Sequence, residues 1–296
     1  AYDDADGDGF GDEGTAVAVC TATVDQVVEG GDCDDDDWDV YPGAAELCDG
    51  QQNDCDTAWT ETDEDGLVSF WAADAAGTDV TAAFTGYYEL SNGEYAVCEG
   101  SYAVELGAYR VTTSVEALHA GTVQLTKGGS EEILGAIDST IQLSGLAFVG
   151  GDALQGGAIF ANGSDLQVSD CVFTDNSAQT YGGAILSALG SSLAVSNSVF
   201  EGSTAGYGGA AIYSTGALSV SDTSFAQNDG GFGSAILQNE ASTVTIDRCD
   251  FSDNTASTGG SAIAVSGGTI QINDSTFQDN VSTGWGGAIS AGSSAR

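Results

Sequence analysis

The chain has 296 residues, with 45 acidic side chains against 4 basic ones and a formal net charge of -41 at pH 7. A surface of this charge repels nucleic acid phosphates and anionic membrane faces, and the sequence contains no run of 18 apolar residues that could cross a bilayer. We therefore expect no nucleic acid partner and no direct membrane insertion.

The acidic side chains are concentrated at the start of the chain, where residues 1–66 hold 22 of the 45. This uneven distribution predicts a separate N-terminal module. It opens with "DDADGDGFGD", in which aspartates alternate along the chain before a glycine, as in the front half of a calcium loop. The candidate ligands in this stretch are Asp4, Asp6, Asp8 and Asp12. Because Thr15 stands where an EF-hand has its bidentate glutamate, and no helices flank the loop, we do not expect an EF-hand.

A second acidic stretch, "GDCDDDDWDVYPGAAELCDGQQNDCD", repeats the alternating spacing and adds polar residues at its far end. Its candidate ligands are Asp32, Asp34, Asp36, Asp49, Asn53, Asp54 and Asp56. Oxygen donors without histidine favour Ca²⁺ over zinc or copper. We therefore predict Ca²⁺ as the cofactor of the module, against the alternative that residues 1–66 are an acidic, solvated linker.

The motifs "GDCDDDD", "PGAAELCDG" and "QNDCD" closely resemble the bacterial extracellular repeat called the "putative metal-binding motif", and more distantly thrombospondin type 3 repeats. The resemblance implies an extracellular protein that binds metal. Cys20, Cys33, Cys48 and Cys55 all fall in this module, which is too small for a large core and would gain from disulfides. Three pairings are possible; we favour Cys20–Cys33 and Cys48–Cys55, since each closes a short loop around aspartates.

Residues 67–140 have strand-like stretches with looser spacing, such as "YELSNGEYAVCEGSYAVELGAY". We interpret them as an N-terminal cap with the first irregular coils of the domain that follows. An exposed end of a repeat domain leaves strand edges and core uncovered, so a cap is expected there.

Residues 141–296 repeat one phrase with a period near 26 residues. A Gly-Gly-Ala-Ile phrase and a later phenylalanine recur, and between them apolar residues alternate with small polar ones, which is the period of a strand. Three short strands and three turns fit in one period. The fold class predicted is all-β: a right-handed parallel β-helix of about 26 residues per coil, following the small, disulfide-stapled, Asp-rich module.

Equivalent residues of successive coils should stack in such a fold. The phenylalanines are Phe173, Phe200, Phe225, Phe251 and Phe277, and a turn position holds Asn176, Ser203, Asn228, Asn254 and Asn280. We expect amide side chains to bond along that stack. Cys171 and Cys249 share the inward parity of the phenylalanines but lie three coils apart, about 14 Å, so they should be buried and free.

The intact "GGAI" phrases at 156–159, 182–185 and 286–289, with "FTDN", "FAQN", "FSDN" and "FQDN", resemble the repeats of chlamydial-type polymorphic outer-membrane proteins. The resemblance covers roughly residues 140–290. It implies a surface-displayed β-helix, in some members an adhesin.

These patterns together predict a secreted structural or adhesive protein of the bacterial cell surface: a rigid β-helix rod with a Ca²⁺-stabilised N-terminal module. Its expected partners are calcium and either further copies of itself, end to end as a fibre or laterally, or a surface receptor or glycan. The alternative is a carbohydrate-active, pectate lyase-like β-helix enzyme. We expect no catalytic residues, since Arg248 is interpreted as part of a charge ladder with Asp222 and Asp274, and His119 is the sole histidine.

Overall fold

The computed structural model describes residues 1–19, 21–44, 53, 55, 70–73, 86–97, 100–117, 123–240 and 242–295. The chain forms two compact units, Ala1–Thr81 and Ala82–Arg296. No helix in these ranges is long and apolar enough to cross a membrane.

The described part of the first unit contains little regular structure. Strands Tyr2–Asp3 and Gln26–Val27 pair antiparallel, a 3-10 turn spans Glu13–Thr15, and a further strand spans Phe70–Ala73. An isolated parallel bridge joins Asp12 to Asp32 and thereby brings the two acidic stretches together. Residues 1–44 are rich in aspartate and glycine, so backbone turns determine the local shape of the described part of this unit.

The second unit is a right-handed parallel β-helix, which confirms the predicted fold class. Each coil contributes one strand to each of three faces, which we name after their inward residues. The Ile face holds Gly86–Leu90, the second half of Gly100–Tyr109, Leu134–Ile137, Ile159–Asn162, Ile185–Ala188, Ile212–Ser214, Ile236–Gln238, the first half of Ile263–Asn273, and Ile289–Ala295.

The Leu/Val face and the Phe face complete each coil, with a short fourth ladder at the turn between the Phe and Ile faces. The Leu/Val face holds Gly93–Val97, Thr112–Ala117, Thr140–Ser144, Asp165–Ser169, Ser192–Ser196, Leu218–Ser221, Ser242–Asp247 and the second half of Ile263–Asn273. The Phe face holds the first half of Gly100–Tyr109, Val123–Lys127, Leu146–Val149, Val172–Thr174, Val199–Glu201, Ser224–Ala226, Asp250–Ser252 and Thr276–Gln278. The short ladder holds Asp152–Ala153, Ser177–Ala178, Thr204–Gly208, Asp229–Phe232, Thr255–Gly259 and Val281–Ser282.

The predicted stacking of equivalent residues is present in the core. Phe148 and the five phenylalanines predicted to stack, Phe173 to Phe277, form a continuous column. Successive ring centroids lie 4.5–5.0 Å apart and the ring planes are nearly parallel. Regular parallel pairing is already present at Gly86–Leu90, inside the range 67–140 that the sequence assigned to a cap and irregular coils.

A column of buried amides runs beside the phenylalanines. The Asn228 Nδ2 donates to Asn254 Oδ1 at 2.9 Å, and the Asn254 Nδ2 donates to Asn280 Oδ1 at 2.8 Å. Ser203 occupies the same position one coil earlier, and its buried hydroxyl has no hydrogen-bond partner in the described ranges. The column therefore satisfies buried polar groups at its asparagine positions and is interrupted at the serine.

The cysteines give one confirmation and one correction. Cys171 and Cys249 are buried and free, as predicted, and burial raises the pKa of the Cys171 thiol to about 12. The favoured pairs Cys20–Cys33 and Cys48–Cys55 are wrong, because Cys33 is bonded to Cys55. The reason is that the chain folds back on itself here: Tyr41 donates to the carbonyl of Asn53 at 2.9 Å, so residues near 53 return to the first segment. Cys20, Cys48 and Cys98 lie outside the described residues.

Candidate metal centre

The first acidic loop folds so that three carboxylates converge. One oxygen atom from each of Asp4, Asp6 and Asp8 lies within 4.8 Å of the others. The Oδ1 atom of each accepts a backbone N–H group: Asp4 from Gly7 at 2.7 Å, Asp6 from Asp8 at 3.1 Å and Asp8 from Phe10 at 2.8 Å. These short side-chain-to-backbone bonds create successive turns, which place alternate carboxylates on the same side of the loop.

Glycine is needed at one position of this loop for a specific reason. Gly7 has a φ of 88°, in the left-handed region that residues with a Cβ rarely adopt. Because it lies between Asp6 and Asp8, its conformation lets the chain reverse within the cluster. The sequence pattern of aspartates around glycine therefore has a direct geometric cause.

The second acidic stretch contributes Asp32 and Asp35. Asp32 is only 7% exposed, and its Oδ1 accepts the N–H of Asp34 at 2.9 Å. The Asp35 Oδ1 accepts the N–H of Ala5 at 3.1 Å, which connects the second stretch directly to the first loop. Two segments about 30 residues apart in the chain thus form one acidic cluster, which we call the metal centre: Asp4, Asp6, Asp8, Asp32 and Asp35.

The electrostatics of this cluster are unfavourable without a cation. Burial raises the pKa of Asp6, and the neighbouring charges of Asp8, Asp4 and Asp35 raise it further. Burial likewise raises the pKa of Asp32, with added repulsion from Asp8, Asp6 and Asp35. Like charges held close in a partly dry environment disfavour ionisation, which explains both directions.

Three buried carboxylate oxygens in the centre also have no hydrogen-bond partner in the described part of the chain. They are the Oδ2 atoms of Asp6, Asp8 and Asp32. Buried, unpaired charged oxygens are costly unless they coordinate a cation. The donor set is therefore a fit for a hard divalent cation such as Ca²⁺, which takes several carboxylate oxygens.

The structure places the remaining sequence candidates differently. Asp12 caps the 3-10 turn by accepting the N–H of Gly14 at 2.7 Å, Asp34 and Asp36 are exposed, and Asn53 is buried. Asp49, Asp54 and Asp56 lie outside the described residues. Asp35 was not among the sequence candidates, since alternate spacing passes over it. Its only signal was membership of the unbroken run of four aspartates at 34–37.

The described arginine and lysine residues of the second unit, Arg110, Lys127 and Arg248, form ion pairs with aspartates. The Arg248 Nε and Nη2 donate to the two carboxylate oxygens of Asp222, each at 2.7 Å, and Nη1 also contacts Asp247. The pairing with Asp222 agrees with the predicted charge ladder, whereas the other ion pair of Arg248 in the described ranges is with Asp247 and not with Asp274. His119 lies outside the described residues.

Comparison with known families gives two matches. Residues 139–295, more than half of the chain, match the family described as "Right handed beta helix region". Residues 32–59 match the family described as "Putative metal-binding motif", whose name refers to copper binding. Neither a curated protein nor a solved structure matches the chain.

Proposed function

Because the chain belongs to the right-handed β-helix family, we propose that it is a secreted structural and adhesive protein of the bacterial cell surface, with an N-terminal module that Ca²⁺ stabilises. The metal-binding match and the resemblance of the repeats to polymorphic outer-membrane proteins support this assignment. The observation that carries its metal-binding part is the convergence of Asp4, Asp6 and Asp8. Nearby, the buried Oδ2 atoms of Asp6, Asp8 and Asp32 have no hydrogen-bond partner among the described residues.

Calcium is the cation proposed, for reasons of ligand chemistry. The metal centre offers only carboxylate oxygens, which are the ligands of Ca²⁺ and Mg²⁺, whereas copper sites use imidazole and sulfur. The whole chain has a single histidine, so it offers only one imidazole ligand to a copper site. Five carboxylates suit the higher coordination number of Ca²⁺ better than the compact octahedron of Mg²⁺.

The test is isothermal titration of the full, metal-free chain with Ca²⁺, Mg²⁺ and Cu²⁺ in separate runs. We expect saturable Ca²⁺ binding, lowered by about 10-fold or more in Asp32→Asn and Asp35→Asn, because each removes one ligand charge. Asp36→Asn is the matched control from the same run of aspartates. Binding of Cu²⁺ alone, or an Asp36→Asn effect larger than that of Asp35→Asn, would contradict the assignment.

We also propose that the β-helix acts as a scaffold rather than as an enzyme. Each Lys or Arg in the described ranges already lies within ion-pair distance of an aspartate: Arg110 of Asp138, Lys127 of Asp152 and Arg248 of Asp222. A lyase acting on polyuronides would need a basic residue free to meet substrate. Incubation with pectin and alginate should give no unsaturated oligosaccharide; release that Arg248→Ala abolishes would favour the pectate lyase-like alternative.

Self-association belongs to the same proposal. Parallel strand edges at the end of a β-helix can pair with another copy, whereas the charge of -41 opposes close approach. Sedimentation velocity with and without Ca²⁺ tests this directly. Larger species that appear only with Ca²⁺ would support assembly into a fibre, and a monomer in both conditions would remove assembly from the proposed function.

A further inference from the structure

A column of aromatic residues alternates with glycine on the surface of the second unit. Successive coils pair Tyr181 with Gly208, Gly208 with Phe232, Phe232 with Gly259 and Gly259 with Trp285. All five therefore share one register position, just before the turn that opens the Ile face. We call this column, together with the neighbouring Tyr207, the aromatic stripe.

The glycines separate the rings along the column, and both are buried beneath neighbouring atoms. A Cβ at Gly208 would lie 2.3 Å from the carbonyl oxygen of Phe232, and a Cβ at Gly259 would lie 2.7 Å from that of Trp285. No side chain fits at either position without a backbone shift. The aromatic residues of the column thus recur every second coil. Two strand spacings separate them, which is about 10 Å.

The rings are unusually exposed for their type. Tyr207 is 59% exposed, Phe232 41% and Trp285 79%, and Tyr207 stacks on Tyr181 with ring centroids 5.5 Å apart. Single exposed aromatics are ordinary, but an ordered row of them on one surface commonly marks a binding site.

A groove of about 360 Å³ lies beside the stripe, and the sequence explains its position. The outward residue after each ladder isoleucine shrinks along successive coils, from Tyr213 to Leu237, Ala264 and Ser290. The larger of these side chains are packed into an apolar cluster that supports the tyrosines. Where the outward residue becomes alanine and then serine, space opens between the stripe and the opposite edge.

Polar groups at that edge are held in defined orientations. The Asn239 Nδ2 donates to the Tyr213 hydroxyl at 3.1 Å, and the Ser266 hydroxyl donates to Asn239 Oδ1 at 2.9 Å. None of the described residues that line the groove is charged. The groove thus combines exposed aromatic faces with oriented amide and hydroxyl groups on a protein whose charge is strongly negative.

We propose that this groove and the aromatic stripe bind a neutral, extended oligosaccharide. The C–H faces of pyranose rings pack on aromatic faces, and sugar hydroxyls bond to amides and hydroxyls, so both surfaces of the groove have a counterpart in such a ligand. The two-coil spacing of the rings is close to the length of one disaccharide unit in an extended β-1,4-linked chain. An acidic glycan is disfavoured because the net charge of -41 repels it.

This inference rests on the adhesive part of the proposed function and names the ligand class for it. The groove lies wholly within Ala82–Arg296, whereas the metal centre lies within Ala1–Thr81. Glycan binding in the groove should therefore persist when Ca²⁺ is removed. The two proposals can fail separately: lost glycan binding with intact Ca²⁺ binding refutes only the groove, and the reverse refutes only the metal centre.

The experiment is titration of the full chain, in Ca²⁺ and in chelator, with neutral hexasaccharides of cellulose, xylan, chitin and mannan and with an oligogalacturonate of the same length. We expect saturable binding of at least one neutral hexasaccharide in both conditions and weaker or no binding of the oligogalacturonate. The double variant Phe232→Ala/Trp285→Ala should weaken binding by about 10-fold, since two aromatic faces that pack against sugar rings are lost. Tyr207→Phe should preserve it, because the stacking face is retained.

Tyr109→Ala is the matched control, since Tyr109 is 49% exposed in the same unit but lies outside the groove. It should leave binding unchanged, and circular dichroism should show that all variants keep their strands. The inference is overturned if no neutral hexasaccharide binds, if the oligogalacturonate binds more tightly, or if Tyr109→Ala weakens binding as much as the double variant. It is also overturned if the chain dimerises and the double variant abolishes the dimer, since the groove would then receive a second copy.

Discussion

Replacing Asp6 by asparagine should change the stability of the first unit in opposite directions with and without Ca²⁺. The ligand oxygens of Asp4, Asp6 and Asp8 lie within 4.8 Å of one another. Two unit charges at that distance repel by about 0.9 kcal/mol in bulk water and by about 3.5 kcal/mol at an effective dielectric constant of about 20. Asp6 takes part in two of the three pairs, so its neutralisation removes roughly 2–7 kcal/mol of repulsion.

The substitution preserves local structure, which makes the sign of the effect interpretable. Asparagine keeps the Oδ1 atom that accepts the N–H of Asp8 at 3.1 Å. Without metal, relief of repulsion should therefore stabilise the unit by at least about 2 kcal/mol. With Ca²⁺ present, the lost ligand charge should weaken binding about 10-fold or more, so the variant is then less stable than the parent chain.

Hydrogen exchange of the full chain, followed by mass spectrometry on peptides from residues 1–19, measures both effects. A gain of 2 kcal/mol corresponds to roughly 30-fold slower exchange from opened states in chelator. Glu13→Gln is the control, because it removes an exposed charge from the same segment and should change exchange little in either condition. Faster exchange of Asp6→Asn in chelator, or a change of the same sign in both conditions, would refute the electrostatic reasoning.

Three further predictions concern the β-helix. Phe200→Ala should destabilise the β-helix by about 3–5 kcal/mol in urea unfolding followed by circular dichroism, because the ring is fully buried between two others. Phe277→Ala should destabilise it less, since its ring stacks on one neighbour and is partly exposed. Equal losses of stability would contradict the stacking argument. Ser203→Asn should stabilise by about 1 kcal/mol in the same assay, because it restores the interrupted amide column; destabilisation would mean that this coil has no room for the amide. The Cys171 thiol should resist iodoacetamide at pH 8 in the folded chain, since burial raises its pKa to about 12. The contribution of the protonated thiol to the free energy of unfolding should be full below about pH 9 and decline as the pH rises toward 12. Fast labelling of the folded chain would show an open core.

The β-helix was predictable because its contacts are periodic. A residue in one coil pairs with the residue one period later, so the sequence spacing of Phe173 and Phe200 predicts their contact. The parity that places phenylalanine inside also places Cys171 inside, and both are fully buried. Register errors are costly here, since a shift of one residue would turn every inward side chain outward.

The aromatic stripe was not predicted, although every one of its residues was visible. Its register position holds tyrosine, glycine, phenylalanine, glycine and tryptophan in turn, so no single residue type repeats. The groove beside it depends on the gradual loss of side-chain volume from Tyr213 to Ser290, which a search for identical repeats overlooks. The constant repeat spacing therefore predicts the β-helix. The aromatic stripe and the groove depend on which residue types occupy equivalent positions in successive coils.

The two departures in the first unit, Asp35 and the Cys33–Cys55 disulfide, have one common cause. Both result from long-range folding of a non-periodic segment, whereas the sequence predictions used local spacing. The disulfide joins residues 22 apart, which corresponds to roughly 3 kcal/mol of loop-closure entropy removed from the unfolded chain. Because Cys33 directly follows Asp32, the cross-link anchors the segment that carries Asp32 and Asp35 toward the first loop. This contribution is of the same order as the carboxylate repulsion in the metal centre. The disulfide and a bound cation therefore both offset the repulsion between the aspartates of the two segments.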